Sequence, residues 1–378
     1  MPEGKDGTAP AAAAAGGNPL VFSFMALPKF APPRSFHAEL KRRAADYFQT
    51  EGKAQTGNAS LLSKAALLVS ALVALYVHLV FFTPALGWAM LECVALGVSV
   101  ALVGFNVMHD GAHGSFSRWP WLNRTAAFTL NVLGGSSYMW DAKHNTVHHM
   151  YTNIDGVDDD LDIQPWMRMT ADQKRYGAHR FQHLYFWFLY CMLFISWVFV
   201  MDYQKYFTQR IGSVPLKQMG RADHLTFWGF KVLNLVLVIG LPVYMVGVAG
   251  WALGFLVAMA VAGFTLSIVF QLAHTVEQTA FPVPHATTHK MEDEWAIHQL
   301  RTTANFATHN RVISWLVGGL NFQVEHHLFP KVSHVHYPQL SKIIRQTCAE
   351  FDVPYQEYPR MWQAIVSHVL FLRQMGRA

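Results

Sequence analysis

Three short stretches concentrate the side chains able to do chemistry. His109-Asp110-Gly111-Ala112-His113 sets two imidazoles four residues apart, on one face if the stretch is helical. His144-Asn145-Thr146-Val147-His148-His149 repeats that spacing and adds a neighbour. Gln323-Val324-Glu325-His326-His327 brings an adjacent pair into an apolar run, with Gln323 and His327 again four apart. An eighth histidine, His274, follows Gln271-Leu272-Ala273 at the end of another apolar run. Neutral imidazole is a ligand for Fe, Zn, Cu or Ni. Eight are too many for one ion, so the pattern implies two metals.

The other polar residues sort around these. The three cysteines, Cys93, Cys191 and Cys348, form no CxxC and exclude a thiolate site or a disulfide framework. His179/His183 and His285/His289 share the four-residue spacing without an adjacent histidine and read as structural. A soluble di-iron bundle would use Glu-x-x-His pairs, and Glu325 stands at the wrong spacing for that. It reads instead as a group that orients an imidazole, a role open also to Asp110 and Asp162. The run Asp158 to Asp160, in a 153–163 loop that also holds Asp155, reads as solvated surface.

The elements that must carry these groups are apolar. Hydrophobic residues make up 52% of the 378 residues and charged ones 14%, against about 25% charged in soluble domains. The net charge of +5 is spread over loops, facing a membrane rather than forming a nucleic-acid stripe. Runs 61–83 and 88–108 are each long enough to span a bilayer and meet at Pro84-Ala85-Leu86-Gly87. Runs 226–248 and 251–273 meet at Ala249-Gly250. If His109 and His326 share a site, an even number of spans separates them, so run 184–201, rich in Trp and Tyr, is assigned to the interface.

The expected fold is therefore an all-α polytopic membrane protein with four transmembrane helices in two hairpins. Interfacial helices are expected at 36–49 (basic and amphipathic), 120–140 and 184–201. A cytoplasmic cap spans 274–360. Residues 1–35 read as a disordered tail without a signal peptide, 36–360 as the membrane domain and 361–378 as a C-terminal tail. Arg34, Lys41, Arg42, Arg43, Lys205, Arg210, Lys217 and Arg221 fall on the histidine side and neither hairpin turn carries Lys or Arg, which puts the histidines in the cytoplasm.

The three histidine stretches, in this order and hung from two hairpins, resemble the histidine boxes of the membrane fatty-acid desaturases. The second continues into Met150-Tyr151-Thr152-Asn153 as that family's second box does. Trp295-Ala296-Ile297-His298-Gln299-Leu300 with Thr302-Thr303-Ala304-Asn305-Phe306 resembles the approach to the third box in bacterial linoleoyl-CoA-desaturase-like proteins. Gln323, where many desaturases have His, resembles the front-end subgroup, which inserts a double bond between an existing one and the carboxyl end.

The resemblance implies two iron ions held by His109, His113, His144, His148, His149, His274, His326 and His327, with Gln323 at a ninth position as a poorer ligand. It implies O2 as co-substrate and a fatty acyl chain, on CoA, a carrier protein or a phospholipid, as substrate. The chain has no His-Pro-Gly-Gly haem motif, so a separate ferredoxin or cytochrome b5 is expected to supply electrons, docking on the basic face. Two other readings use the same residues: a hydroxylase of a lipid or alkane, and a non-enzymatic His-rich metal-binding membrane protein. A transporter would place ionisable groups in mid-membrane, whereas these histidines lie at span ends.

Overall fold

The computed structural model describes residues 27–33 and 35–378. Of the tail expected over 1–35, residues 1–26 and Arg34 lie outside the described residues. The described residues are mostly helical, with four two-residue strands among them: Arg210–Ile211 pairs antiparallel with Val214–Pro215, and Asn305–Phe306 parallel with Glu357–Tyr358.

In chain order the helices are α1 (Ser35–Thr50), α2 (Ala59–Phe82), α3 (Leu86–Ala112), α4 (Pro120–Val132), α5 (residues 137–151), α6 (Gly177–Thr208), α7 (Arg221–His274), α8 (Trp295–Thr302), α9 (Arg311–Leu316), α10 (Gln323–Leu328), α11 (Tyr337–Glu350) and α12 (Met361–Met375). Asn58 caps α2 by accepting from Leu61 N at 3.1 Å. Pro84 and a left-handed Thr83 then turn the chain into α3. Leu67, Phe81, Phe82, Leu86, Trp88 and Tyr244 stand exposed, as side chains facing lipid would.

Among the described residues, four helices are long and apolar enough to cross a membrane: α2, α3, α6 and α7. Four is the number expected, but the membership differs. Run 184–201, expected at the interface, is the middle of α6, and the last two expected spans are arms of one 54-residue helix. That helix breaks at Gly247, whose φ of 76° is open to glycine without strain. The turn thus comes slightly before Ala249-Gly250. The indole of Trp251 donates to Val238 O at 2.8 Å, so the arms fold back on each other.

The return arm, 248–274, is the central strut, packed between α3 and α6. At Gly263 a Cβ would stand 2.7 Å from Cys191 O, so only glycine permits this approach of α6. Phe105, Phe186, Tyr190, Leu266 and Leu272 fill the core around it. Stretch 120–140, expected as an interfacial or re-entrant stretch leading to the second histidine group, holds α4 and, after a turn at Gly134, the start of α5, which carries that group.

Two expectations about the periphery are corrected. Phe36, Leu40, Ala44 and Phe48 of α1 are buried in a core with Leu340, Ile344 and Cys348 of α11, so its apolar face meets protein rather than lipid. An amphipathic stripe reads the same against either. Residues 361–375, read as a tail, are the helix α12. Its His368 lies 2.7 Å from the Tyr190 hydroxyl of α6 and 2.7 Å from Thr275 O at the end of α7, and Ala364, Phe371 and Leu372 join the main core.

Candidate metal centre

Four helix ends converge. α3 widens to π-helical turns at 104–108 before delivering His109 and His113, and Asn106 locks that widening by donating to Leu102 O and Leu316 O, both at 2.8 Å. α5 is π-helical over 141–148 and delivers His144, His148 and His149. α7 ends on His274. α10 is a six-residue helix, buried throughout, carrying Gln323, His326 and His327.

All eight histidines expected as ligands come together. His109, His113, His144 and His326 place ligand nitrogens within 4.8 Å of one another, as do His148, His274 and His327, and His149 with His326 and His327 links the two sets. His109 Nε2 and His149 Nε2 each lie 3.2 Å from His144 Nε2. Gln323 Nε2 lies 3.1 Å from His274 Nε2, so the ninth position adjoins the second set. Neither decoy pair is in the cluster: His179 is tied to Pro165 O at 2.8 Å, and His285 and His289 sit in a surface turn.

The donors fit a metal. Nε2 of His113, His326 and His327 is buried without a partner, which is costly unless something binds there. Burial pushes the pKa of His113, His144, His149, His326 and His327 well below the ordinary imidazole value, with neighbouring imidazoles adding to the effect. They are therefore neutral and hold a free lone pair, the form that ligates.

The groups behind the imidazoles differ from those expected. Asp158 is 2% exposed, not solvated surface. Its carboxylate lies 3.1 Å from His148 Nδ1 and accepts from Asn153 N at 2.9 Å, while Asp160 lies 3.2 Å from the same ring nitrogen. Lys143 bridges Asp159 and Asp160, and Lys205 reaches Asp159 at 2.7 Å. Burial alone would lower the His148 pKa, but Asp158 and Asp160 outweigh it and the pKa is raised. Asp162 is exposed. Asp110 accepts from Ser333 Oγ at 2.8 Å and pairs with His334 at 3.0 Å, not with a clustered imidazole. Glu325, which burial pushes up to about 7, accepts from Asn305 Nδ2 and the Tyr355 hydroxyl, both at 2.8 Å. It thereby supports Asn305, which accepts from Val324 N at 2.9 Å, and it touches no imidazole.

Three further residues escaped sequence reasoning. Gln299 Oε1 accepts from His327 Nδ1 at 2.7 Å, the Tyr337 hydroxyl lies 3.1 Å from His326 Nδ1, and Trp140 stacks on His144 with ring centroids 4.4 Å apart. Thr302 O lies 3.2 Å from His274 Nδ1. Oxygen at Nδ1 fixes the tautomer that leaves Nε2 free for metal. Gln299 falls within the Trp295–Phe306 motif, which was the available signal for it.

Residues 85–359 match the family described as fatty acid desaturase. The sn-1 linoleoyl-lipid 6-desaturase of Synechocystis sp. is 37% identical over 356 residues, covering 93% of this chain and 98% of that protein. This chain belongs to the fatty acid desaturase family. The desaturase is also 33% identical to the sn-1 linoleoyl-lipid 6-desaturase of Arthrospira platensis, over 90% of this chain and 92% of the relative. It is 34% identical to the acyl-lipid (8-3)-desaturase of Physcomitrium patens, over 90% and 72%. It is thus an oxidoreductase of fatty acyl chains, and the buried histidine cluster is a candidate metal site.

Proposed function

We propose that this desaturase is a di-iron, O2-dependent front-end enzyme that places a cis double bond in a lipid-linked acyl chain already carrying one. The observation that carries the reading is the pair of linked imidazole sets with unpartnered Nε2 atoms. His109, His113, His144 and His326 would hold one iron and His148, His274 and His327 the other, with His149 between them. Gln323 reaches metal only by turning its carbonyl oxygen inward, because an amide nitrogen has no lone pair to give. Iron held there would supply the oxidising power to take two hydrogens from adjacent methylenes with O2 as oxidant. The protein fixes the imidazole tautomers and keeps the cluster dry.

Forming one double bond while O2 goes to two waters consumes two electrons and two protons from outside. A separate ferredoxin or cytochrome b5 is the donor in this reading. The relatives' names speak for a lipid-linked, previously unsaturated substrate, and Gln323 agrees with a front-end enzyme.

In the membrane, α2, α3 and the two arms of α7 cross, while α6 lies along the histidine-side interface. What supports this is that both ends of α6 bond to the 159–168 segment that follows the second histidine group: Gln182 to Arg168, and Lys205 to Asp159. The turns at 83–85 and 247–250 carry no Lys or Arg, which argues for a cytoplasmic active site. The test is expression in a host of simple lipid profile, fed defined polyunsaturated acids, with the product bond mapped by mass spectrometry. A new double bond on the carboxyl side of an existing one is expected. A hydroxylated product, or no product from iron-loaded protein, overturns the reading.

A further inference from the structure

The proposed function leaves open which lipid carries the acyl chain, and a groove between α9 and α12 bears on it. It has a volume of about 640 Å³ and is lined by His309, Arg311, Val312, Arg360 and Trp362 among others, with no acidic residue. Neither Arg311 nor Arg360 has an ion-pair partner among the described residues. Arg42, Arg43, Arg301 and Arg345 are paired with carboxylates, whereas Arg118, Arg124 and Arg180, like Arg311 and Arg360, have no carboxylate partner among the described residues; what sets Arg311 and Arg360 apart is that they line one groove.

The walls are apolar and uncovered. Val312 is 67% exposed and Trp362 55%, and each continues along its helix into more exposed apolar side chains, Trp315 on α9 and Val366 on α12. Such a surface belongs in lipid rather than water. The depth is fixed by contacts: Leu316 O of α9 accepts from Asn106 near the end of α3, and Lys64 Nζ at the start of α2 lies 4.7 Å over the Trp315 ring. α9 therefore sits where the apolar helices emerge on the histidine side. Asn106 is three residues from His109, roughly one helical turn from the cluster.

We propose that this groove seats the phosphate of a glycerophospholipid, and that the acyl chain this enzyme desaturates arrives on that lipid. Two unpaired guanidiniums can clamp a phosphodiester with charge-assisted bonds, while Val312 and Trp362 pack against the glycerol and first methylenes. The proposal deepens the desaturase reading and its substrate half rests on it.

The test uses full-length, iron-loaded protein in detergent and two probes with the same linoleoyl chains, phosphatidylglycerol and a neutral galactolipid. Native mass spectrometry reads which lipid is retained. Wild type, and a surface control with Arg118→Gln and Arg180→Gln, should retain the phospholipid preferentially. Arg311→Gln with Arg360→Gln should lose about fivefold of that preference per arginine, and Arg311→Lys with Arg360→Lys should keep most of it, which separates lost charge from lost folding. No preference in wild type, or one that survives the Gln pair, overturns the groove. In turnover, the Gln pair should raise KM for the phospholipid probe and leave kcat unchanged. An unchanged KM with lost retention overturns the substrate half. Retention that behaves as expected in a protein that desaturates neither probe keeps the groove and fails the desaturase reading instead.

Discussion

In the set formed by His148, His274 and His327, every ring has its Nδ1 met by a fixed oxygen, from Asp158 and Asp160, Thr302 and Gln299 respectively. In the set of His109, His113, His144 and His326, only His326 has one among the described residues, the Tyr337 hydroxyl, and the rings are held by packing against each other and Trp140. One metal position is thus oriented by hydrogen bonds with carboxylate behind it, the other by aromatic contact. A carboxylate behind an imidazole makes it a more basic ligand and holds its angle, whereas packing leaves rings freer to turn. On the di-iron reading, the two metals should therefore differ in how tightly they are held, with the Asp158 side the tighter.

The largest effect should come from the residue that belongs to the four-histidine set and also joins it to the other set through His327. His326→Ala removes a ligand nitrogen from the four-histidine set and from the link to His327. Turnover should fall below detection and iron content should drop, while membrane fractionation finds the protein inserted as before. Full activity would remove His326 from the ligand set.

Next comes the asymmetry itself. Asp158→Asn keeps shape but takes away the nearer of the two carboxylate charges behind His148, leaving Asp160, and should cost about 10- to 100-fold in metal affinity or activity. Iron release to a chelator, followed by absorbance, should run in two phases in the wild type. The slow phase should disappear in Asp158→Asn. A single unchanged phase in both proteins would mean that the two positions are equivalent. Gln299→Leu should act in the same direction with a smaller effect, because His327 loses a neutral acceptor rather than a charged one. Chelation half-time reads this directly.

The asymmetry was only half legible in the sequence. The imidazoles were readable because each set lies at the end of an apolar run and the four-residue spacing is a property of the helix. Their supports were not, because they come from turns and distant segments. Asp158 returns to His148 through a tight loop in which Asn153 is left-handed and Asp158 N bonds Ile154 O at 2.9 Å, and nothing in an aspartate run announces that loop. Gln299 meets a histidine 28 positions away. In the fold, apolarity found the long helices but could not say how α6 lies, since a rod along an interface and a rod across a bilayer can have the same composition. α12 escaped because its buried face is partly small and polar (Ala364, Ser367, His368), which weakens the stripe that sequence reasoning looks for.

The smallest effect is expected at Gln323, and it is the finest probe of the comparison. Its amide touches His274, a member of the hydrogen-bonded set, and it is buried beside Val324 and Glu325. Gln323→His puts an imidazole of similar size at the same place. That set already has three oriented donors, so a fourth should tighten the metal they hold and slow the slow phase of chelation further. Turnover should change by less than about tenfold, because no existing ligand is lost. A change confined to the fast phase would reassign Gln323 to the other metal. Unchanged phases with unchanged turnover would mean that its amide serves to orient His274 and leaves the metal untouched.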